Sequence, residues 1–375
     1  MAETASTIPI VLIGCGFVAD LYMRSFRLHR EARILGAWDR DPARLRAFTD
    51  HWSLDAFPGA EAAFAAARGG IVLNLTNPSE HAGVTRAALA AGAHVFSEKP
   101  LTSDMGEARA LAEAAGRAGL HLASAPSSVL SRAAQTLLHA LRAGRIGAPR
   151  LVYAELDDGF IPQAPVRDWQ SASGAPWPWA DEFRTGCTLE HAGYWLSWLI
   201  AAFGPVSRVV TAAEEVLPDK PAGGAPDASV ATLTFRGGGP MARLTCSIVA
   251  PHDHRLRIIG ERGALEVDAA WDNAAPVHVR PRFRLRRRLV DSPLRRRHRL
   301  PGRQSHPFVT REGAASMNFA LGPLEMAGAI AAGRAPRLAG DYALHLTEVT
   351  LACQRTGVHE MTTACPPMEP MPWAR

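Results

Sequence analysis

Short apolar runs and helix-spaced apolar stripes alternate through the first third of the chain. Residues 10–13 form an apolar run that stops at Gly14, and a helix-spaced set (Val18, Leu21, Tyr22, Phe26) begins within four residues. That is the pattern of a strand feeding a helix through a turn too tight for side chains. A second apolar run, 34–38, closes at Asp39. Asp41 followed by Pro42 reads as an N-cap with proline at the first helical position, predicting a helix to about His51. Another helix is predicted over 59–68. The run 71–75 is apolar without alternation, as in a strand covered on both faces. Thr76-Asn77-Pro78 breaks it, and a helix follows over 79–91. Next come a strand over 94–97 and the tripeptide Glu98-Lys99-Pro100. A helix capped by Ser103 or Asp104 then runs to Ala118, before a strand at 120–124. Strands alternating with helices of this length predict an α/β, doubly wound parallel (Rossmann) sheet over residues 1–125.

The pattern changes near Pro126. One amphipathic helix (Ala133, Leu137, Leu138, Leu141) ends at Gly144. Alternating strands follow at 151–156, 206–216, 229–235, 241–249, 256–259 and 264–267, linked by Gly/Pro turns, which predicts an open antiparallel sheet with one face covered. Two late helices, 315–332 and 342–356, complete an α+β domain over 126–375, the last of them packing back toward the first domain. No internal repeat is present.

Composition narrows the class. The 375 residues suffice for two domains, and 47% apolar with 21% charged residues is ordinary for a globular protein. Residues 1–9 lack the basic region of a signal peptide, and no segment reaches the roughly 18 apolar residues of a membrane span. Five scattered cysteines (15, 187, 246, 353, 365) argue for a reducing cytoplasm and against a zinc site or disulfide framework, so no metal is expected. The net charge of +5 is misleading, because residues 280–303 hold eleven arginines and one aspartate. The remainder is acidic.

The opening turn carries the first chemistry. In Gly14-Cys15-Gly16-Phe17-Val18-Ala19, the first glycine makes the turn, the second lets a ligand approach the backbone, and Ala19 keeps the helix close to the strand. The helix N-terminus then offers free N–H groups to a pyrophosphate. Asp39 lies 25 residues past Gly14, near the position where an acidic side chain accepts from the ribose 2′-OH. Its charge favours NAD, while Arg40 beside it leaves NADP possible.

Glu98-Lys99-Pro100 after the fourth strand, with the glycine turn, resembles the Gfo/Idh/MocA family, which includes glucose–fructose oxidoreductase and inositol dehydrogenase. Asn77-Pro-Ser-Glu-His81, the stretch from Ala91 to Leu101, Gly186-Cys-Thr-Leu-Glu-His-Ala-Gly-Tyr-Trp195 and Gly340-Asp-Tyr-Ala-Leu344 fit along most of the chain. The resemblance implies cofactor contacts at Thr76, Asn77, His81, Glu98 and Lys99, and an oligomer formed through the second domain's sheet. Relatives carry Asp-x-Gly-x-His on a helix beside the reacting carbon. Here, aligned on Gly193, His191 replaces the aspartate and Trp195 the histidine; sliding by one residue pairs Glu190 with Tyr194 instead. Either pair shares a helix face.

Oxidising a secondary alcohol requires a base for the hydroxyl proton while hydride leaves to the nicotinamide. Lys99, at a strand end facing the ligand crevice, is the first candidate; the alternative is an anchor for Glu98 or a cofactor hydroxyl. His191 titrates near neutrality and is the second, against a merely hydrogen-bonded helix histidine. Tyr194 offers a phenol or packs, Glu190 orients His191 or a sugar hydroxyl or caps, and Trp195 packs or stacks on sugar. After the strand, Asp157-Asp158-Gly159-Phe160 opens a long loop, 162–185, whose Trp169 and Arg184 suit sugar faces and oxygens unless the loop only packs. The alternate arginines 280, 282, 284, 286 and 288 present one cationic ribbon at strand spacing, either solvated or an anion site. It lacks a nucleic-acid reading module.

The function expected is therefore hydride transfer by an NAD(P)-dependent oxidoreductase on a sugar, cyclitol or sugar nucleotide. Two rivals remain: glycoside cleavage through transient oxidation with retained NAD, and a non-catalytic sensor of cofactor and ligand.

Overall fold

Four residues with no exposed surface, Ile10–Ile13, form β1, an interior strand of a parallel sheet. In this computed structural model the described residues are 8–217, 219–220, 222, 224–301, 306–310 and 316–374. Two compact units result: one of Met1–Ser127, Gln163–Thr185 and Phe319–Glu348, the other of Ser128–Pro162, Gly186–Asn318 and Val349–Arg375.

In the first unit β1 leads into α1 (Phe17–Phe26), then β2 (Ile34–Trp38), α2 (Pro42–Trp52), α3 (Ala60–Ala66), β3 (Ile71–Asn74), α4 (His81–Ala90), β4 (His94–Ser97), α5 (Met105–Arg117) and β5 (Leu122–Ala123). The strand order is β2-β1-β3-β4-β5, and every pairing is parallel. Because helices cover both faces, β1, β3 and β4 are buried throughout, which is why their sequences do not alternate. Val11, Ile13, Val72, Val95, Leu111 and Leu122 share one apolar cluster. Local signals set the helix starts. Asp41 accepts from the N–H groups of Ala43 and Arg44, and Asp104 from that of Glu107. The helix expected over 79–91 opens instead with a 3-10 turn, Pro78–Glu80, since proline fixes the first residue of the turn.

The second unit holds α6 (Arg132–Arg142) and β6 (Pro149–Phe160). Asp157 to Phe160, expected as loop, continue β6. Its inward positions run Val152, Ala154, Leu156 and then Asp158, so the alternation persists with a carboxylate in an apolar slot. The irregular loop expected over 162–185 carries short 3-10 turns and α7 (Trp179–Thr185), and its residues 163–185 pack within the first unit. There follow α8 (Cys187–His191), α9 (Gly193–Phe203), β7 (Val206–Glu214), β8 (Ala228–Phe235), β9 (Met241–Ser247), β10 (Val249–Asp253), β11 (Leu256–Gly260), β12 (Gly263–Val267), β13 (Val277–Leu285), β14 (Arg288–Asp291) and β15 (Arg296–His298). Last come α10 (Leu321–Ala331), α11 (Asp341–Cys353) and β16 (Gly357–Glu360). Ala315, at the expected start of the first late helix, and Arg303, at the end of the arginine segment, lie outside the described residues, and that helix begins at Leu321.

The second sheet runs β14-β13-β12-β11-β6-β9-β8-β7-β16, with β10 on β6 and β15 on β13. It is mostly antiparallel. The exception is β6 with β9, which pair in parallel, as only strands joined by a long connection can. The single strand expected over 241–249 splits into β9 and β10, both of which pair with β6.

The arginine ribbon also differs from its expectation. Arg286, with φ 54°, turns the chain, and β13 and β14 form a hairpin. Arg280 binds Glu266 at 2.7 Å and Arg282 binds Asp291 at 2.7 Å, so the first two arginines of the ribbon are paired with the protein's own carboxylates.

Candidate functional site

The first unit presents bare backbone at the turn between β1 and α1. Gly14 has φ +98°, and a Cβ there would lie 2.7 Å from the Leu75 carbonyl oxygen, so only glycine fits. Gly16 is the N-cap of α1 and supplies no side-chain cap. A Cβ on Gly16 would meet nothing within 4 Å, so open space faces the uncapped helix end. Cys15 is buried in the turn, and burial pushes its thiol far up, leaving it inert. Phe17 and Val18 are half-buried in the first turn of α1.

Asp39 closes this turn from β2. Its Oδ2 accepts from the Cys15 N–H at 2.7 Å and its Oδ1 from the Asp41 N–H at 2.8 Å. Arg40 points to solvent, 3.5 Å from Glu80. Glycine turn, uncapped helix end and carboxylate together match the donor and acceptor needs of a dinucleotide with a free ribose 2′-OH.

The ends of β3 and β4 add a second group. Asn74 donates to the His81 carbonyl at 3.0 Å and accepts from the Thr76 hydroxyl at 2.7 Å. Both ring nitrogens of His81 face carbonyl oxygens, of Pro100 at 2.6 Å and Thr76 at 2.9 Å, so its ring ties these two strand ends together. Glu98 is held at both oxygens: Oε1 accepts from the Tyr22 hydroxyl at 2.7 Å and Oε2 from the Lys99 N–H at 3.0 Å. Lys99 itself is half-buried at the end of β4. The segment 163–185 reaches the same neighbourhood, with Asn77 donating to Asp181 at 2.5 Å and Ser173 to Asp20 at 2.7 Å. Tyr22 and Asp20 were not singled out in the sequence; their helix spacing made them look like ordinary residues of α1.

Within that segment Trp169 packs on Trp177, ring centroids 5.0 Å apart, and Arg184 is exposed beside Asp181 at 3.2 Å.

In the second unit, Gly186 (φ +93°) sits against Ala225 and Gln354, each 3.0 Å from where a Cβ would be, and starts α8. His191 ends α8, and Glu190 before it is buried. Trp195 has no exposed surface and donates to the Glu155 carbonyl at 2.8 Å, which assigns it to packing rather than to a sugar face. Tyr194 is half-buried, its ring centroid 5.8 Å from that of Trp271. His191 meets a carboxylate the sequence reading had placed in a loop. Its Nδ1 is 2.7 Å from Asp158 Oδ2, while His254 Nε2 is 2.5 Å from Asp158 Oδ1. Burial alone would raise the Asp158 carboxyl; the His191 imidazole, then that of His254, hold it below the ordinary range instead. Trp271 packs against His191, His252 and His254. The one available signal for this cluster was His252-x-His254, two imidazoles two residues apart.

Residues 8–125 match the description "Oxidoreductase family, NAD-binding Rossmann fold", and residues 134–266 match "GFO/IDH/MocA C-terminal domain". The chain belongs to the Gfo/Idh/MocA family. Within that family it is 31% identical over 139 residues to a D-apiose dehydrogenase of Paraburkholderia graminis, a match spanning 37% of either chain. The fold is shared with an inositol dehydrogenase homologue of Azotobacter vinelandii solved with NADH and myo-inositol (TM-score 0.73, 20% identity, 95% of this chain and 98% of that one). It is shared too with a UDP-N-acetylglucosamine 3-dehydrogenase of Acidithiobacillus ferrooxidans (TM-score 0.69, 21% identity, 92% and 96%). An aldose-aldose oxidoreductase of Caulobacter crescentus gives TM-score 0.72 at 18% identity, covering 94% and 99%. At these identities the likeness to solved structures is one of fold.

Proposed function

We propose that the protein is an NAD-dependent dehydrogenase moving hydride to or from a secondary alcohol or carbonyl carbon of a sugar, cyclitol or sugar nucleotide. The observation that carries this reading is the Asp39 carboxylate closing the glycine turn beside an uncapped helix end. Gly14, Cys15, Gly16, Phe17 and Val18 would hold the pyrophosphate, and Asp39 the ribose. Thr76, Asn77, His81 and Glu98 would shape the nicotinamide end. Bound there, NAD supplies the hydride acceptor.

The chain's own residues do the rest. Glu98, fixed by Tyr22, orients the Lys99 backbone, and Lys99 exchanges the hydroxyl proton. Glu190, His191, Tyr194, Trp169 and Arg184 are assigned to the substrate's oxygens and apolar faces. The names of the relatives, dehydrogenases of apiose, inositol and UDP-N-acetylglucosamine, support a polyhydroxylated substrate.

Among the described residues no helix is long and apolar enough to cross a membrane, and no cysteine forms a disulfide. We place the protein in the cytoplasm, as a homo-oligomer assembled through the second unit's sheet. The test is to incubate purified protein with NAD or NADP and a panel of sugars, cyclitols and nucleotide sugars, following reduced nicotinamide. NADH formation with at least one polyol, faster with NAD than NADP, is expected. Failure to bind either nucleotide would overturn the reading, and release of a leaving group without net NADH would replace it with the glycosidase route.

A further inference from the structure

Asp158 projects from the inward face of β6; His252 lies in β10, which is paired to β6 at Asp253 and Asp157, and His254 follows directly after that strand. One ligand atom from each of these three residues lies within 4.8 Å of the others. Asp158 and His254 are deeply buried, their side chains 3% and 2% exposed, while His252 reaches solvent. On the far side, Asp158 Oδ2 lies 2.7 Å from His191 Nδ1, an ion-pair distance, so both oxygens of this carboxylate face imidazoles.

We propose that Asp158, His252 and His254 bind a divalent first-row transition metal ion of the zinc type. Two or three imidazoles with one carboxylate are the donors such ions take, whereas magnesium and calcium prefer all-oxygen sets. Trp271 packs against the three rings and fixes their orientation. The exposed side of His252 supplies an entry path. No thiolate is involved, so the scattered cysteines bear on this site in neither direction. Ion binding is independent of nicotinamide binding, so the two readings fail separately.

Full-length protein stripped with a chelator and titrated calorimetrically with zinc tests this, with magnesium as the comparison ion. The expected result is one zinc per chain, with no comparable magnesium uptake. A rise in the thermal unfolding midpoint with zinc should accompany it. His252→Ala and His254→Ala should each weaken zinc binding about tenfold or more and abolish that rise, with NAD affinity unchanged. Should His254→Ala fail to fold, the solvent-facing His252→Ala variant decides alone. Absence of stoichiometric zinc uptake, or equal uptake by wild type and His252→Ala, overturns the proposal; in the second case the ion sits on adventitious surface histidines.

Discussion

The carboxylate of Asp39 accepts a 2.7 Å hydrogen bond from the Cys15 N–H, joining the ends of the first two strands at the glycine turn. The same carboxylate is assigned to the ribose. Asp39→Ala should lower NAD affinity about 10- to 100-fold, the worth of a hydrogen bond to a charged group. It should lower NADP affinity less, because a repulsive charge is lost as well. Binding curves for both nucleotides, read by quenching of tryptophan fluorescence, check this. An unchanged NAD-to-NADP ratio would remove Asp39 from the ribose.

Gly14 carries a stability prediction. Its φ of +98° is strained for any L side chain, and a Cβ would press on the Leu75 carbonyl at 2.7 Å. Gly14→Ala should therefore destabilise the protein by about 1–3 kcal/mol or more, read as a lower thermal or urea midpoint. A variant as stable as wild type would mean the turn is built differently.

Lys99→Ala separates binding from proton transfer. With Glu98 still held by Tyr22 at 2.7 Å, NAD affinity should stay within a few-fold of wild type. The kcat on the best substrate should fall about 10²- to 10⁴-fold, the usual contribution of a positioned acid or base. Retained kcat would return Lys99 to an anchoring role.

Five imidazoles set an acid limit to stability. Burial lowers the pKa of His94, His121, His139, His278 and His298, with repulsion from Arg142 and Arg145 adding to it at His139. In the unfolded chain these groups protonate near pH 6.5, so it takes up protons before the folded one does. Stability should be complete above about pH 6.5 and decline as pH falls from there toward the lowered folded values. His139→Gln, which removes one member of the His139–His298 pair at 3.0 Å, should flatten that decline in urea midpoints measured against pH. An equally steep fall would assign the acid sensitivity elsewhere.

The parallel sheet was legible because both of its faces are covered. β1, β3 and β4 are uniformly apolar runs, and Asp41 and Asp104 mark helix starts through their own short side chains. The glycine turn was legible because Gly14 and Asp39 act through local backbone geometry. The second unit was harder to read. Asp158 looked like loop because a carboxylate in an inward strand position makes sense only with His191 and His254, which are 33 and 96 residues away in sequence. The partners of the arginine ribbon were hidden for the same reason: Glu266 and Asp291, which bind Arg280 and Arg282, come from neighbouring strands, and spacing along one strand cannot reveal them.

Gly16 offers the most direct test of where the dinucleotide sits. Its backbone (φ −78°, ψ −169°) suits alanine and a Cβ would strike no protein atom, so Gly16→Ala should fold with a midpoint matching wild type within about 0.5 kcal/mol. The added methyl would fill the space facing the end of α1. Calorimetric titration of NAD into both proteins should show saturable binding to wild type and loss of most of that affinity in the variant. No NAD uptake by wild type, or equal affinity in the two, would contradict the account.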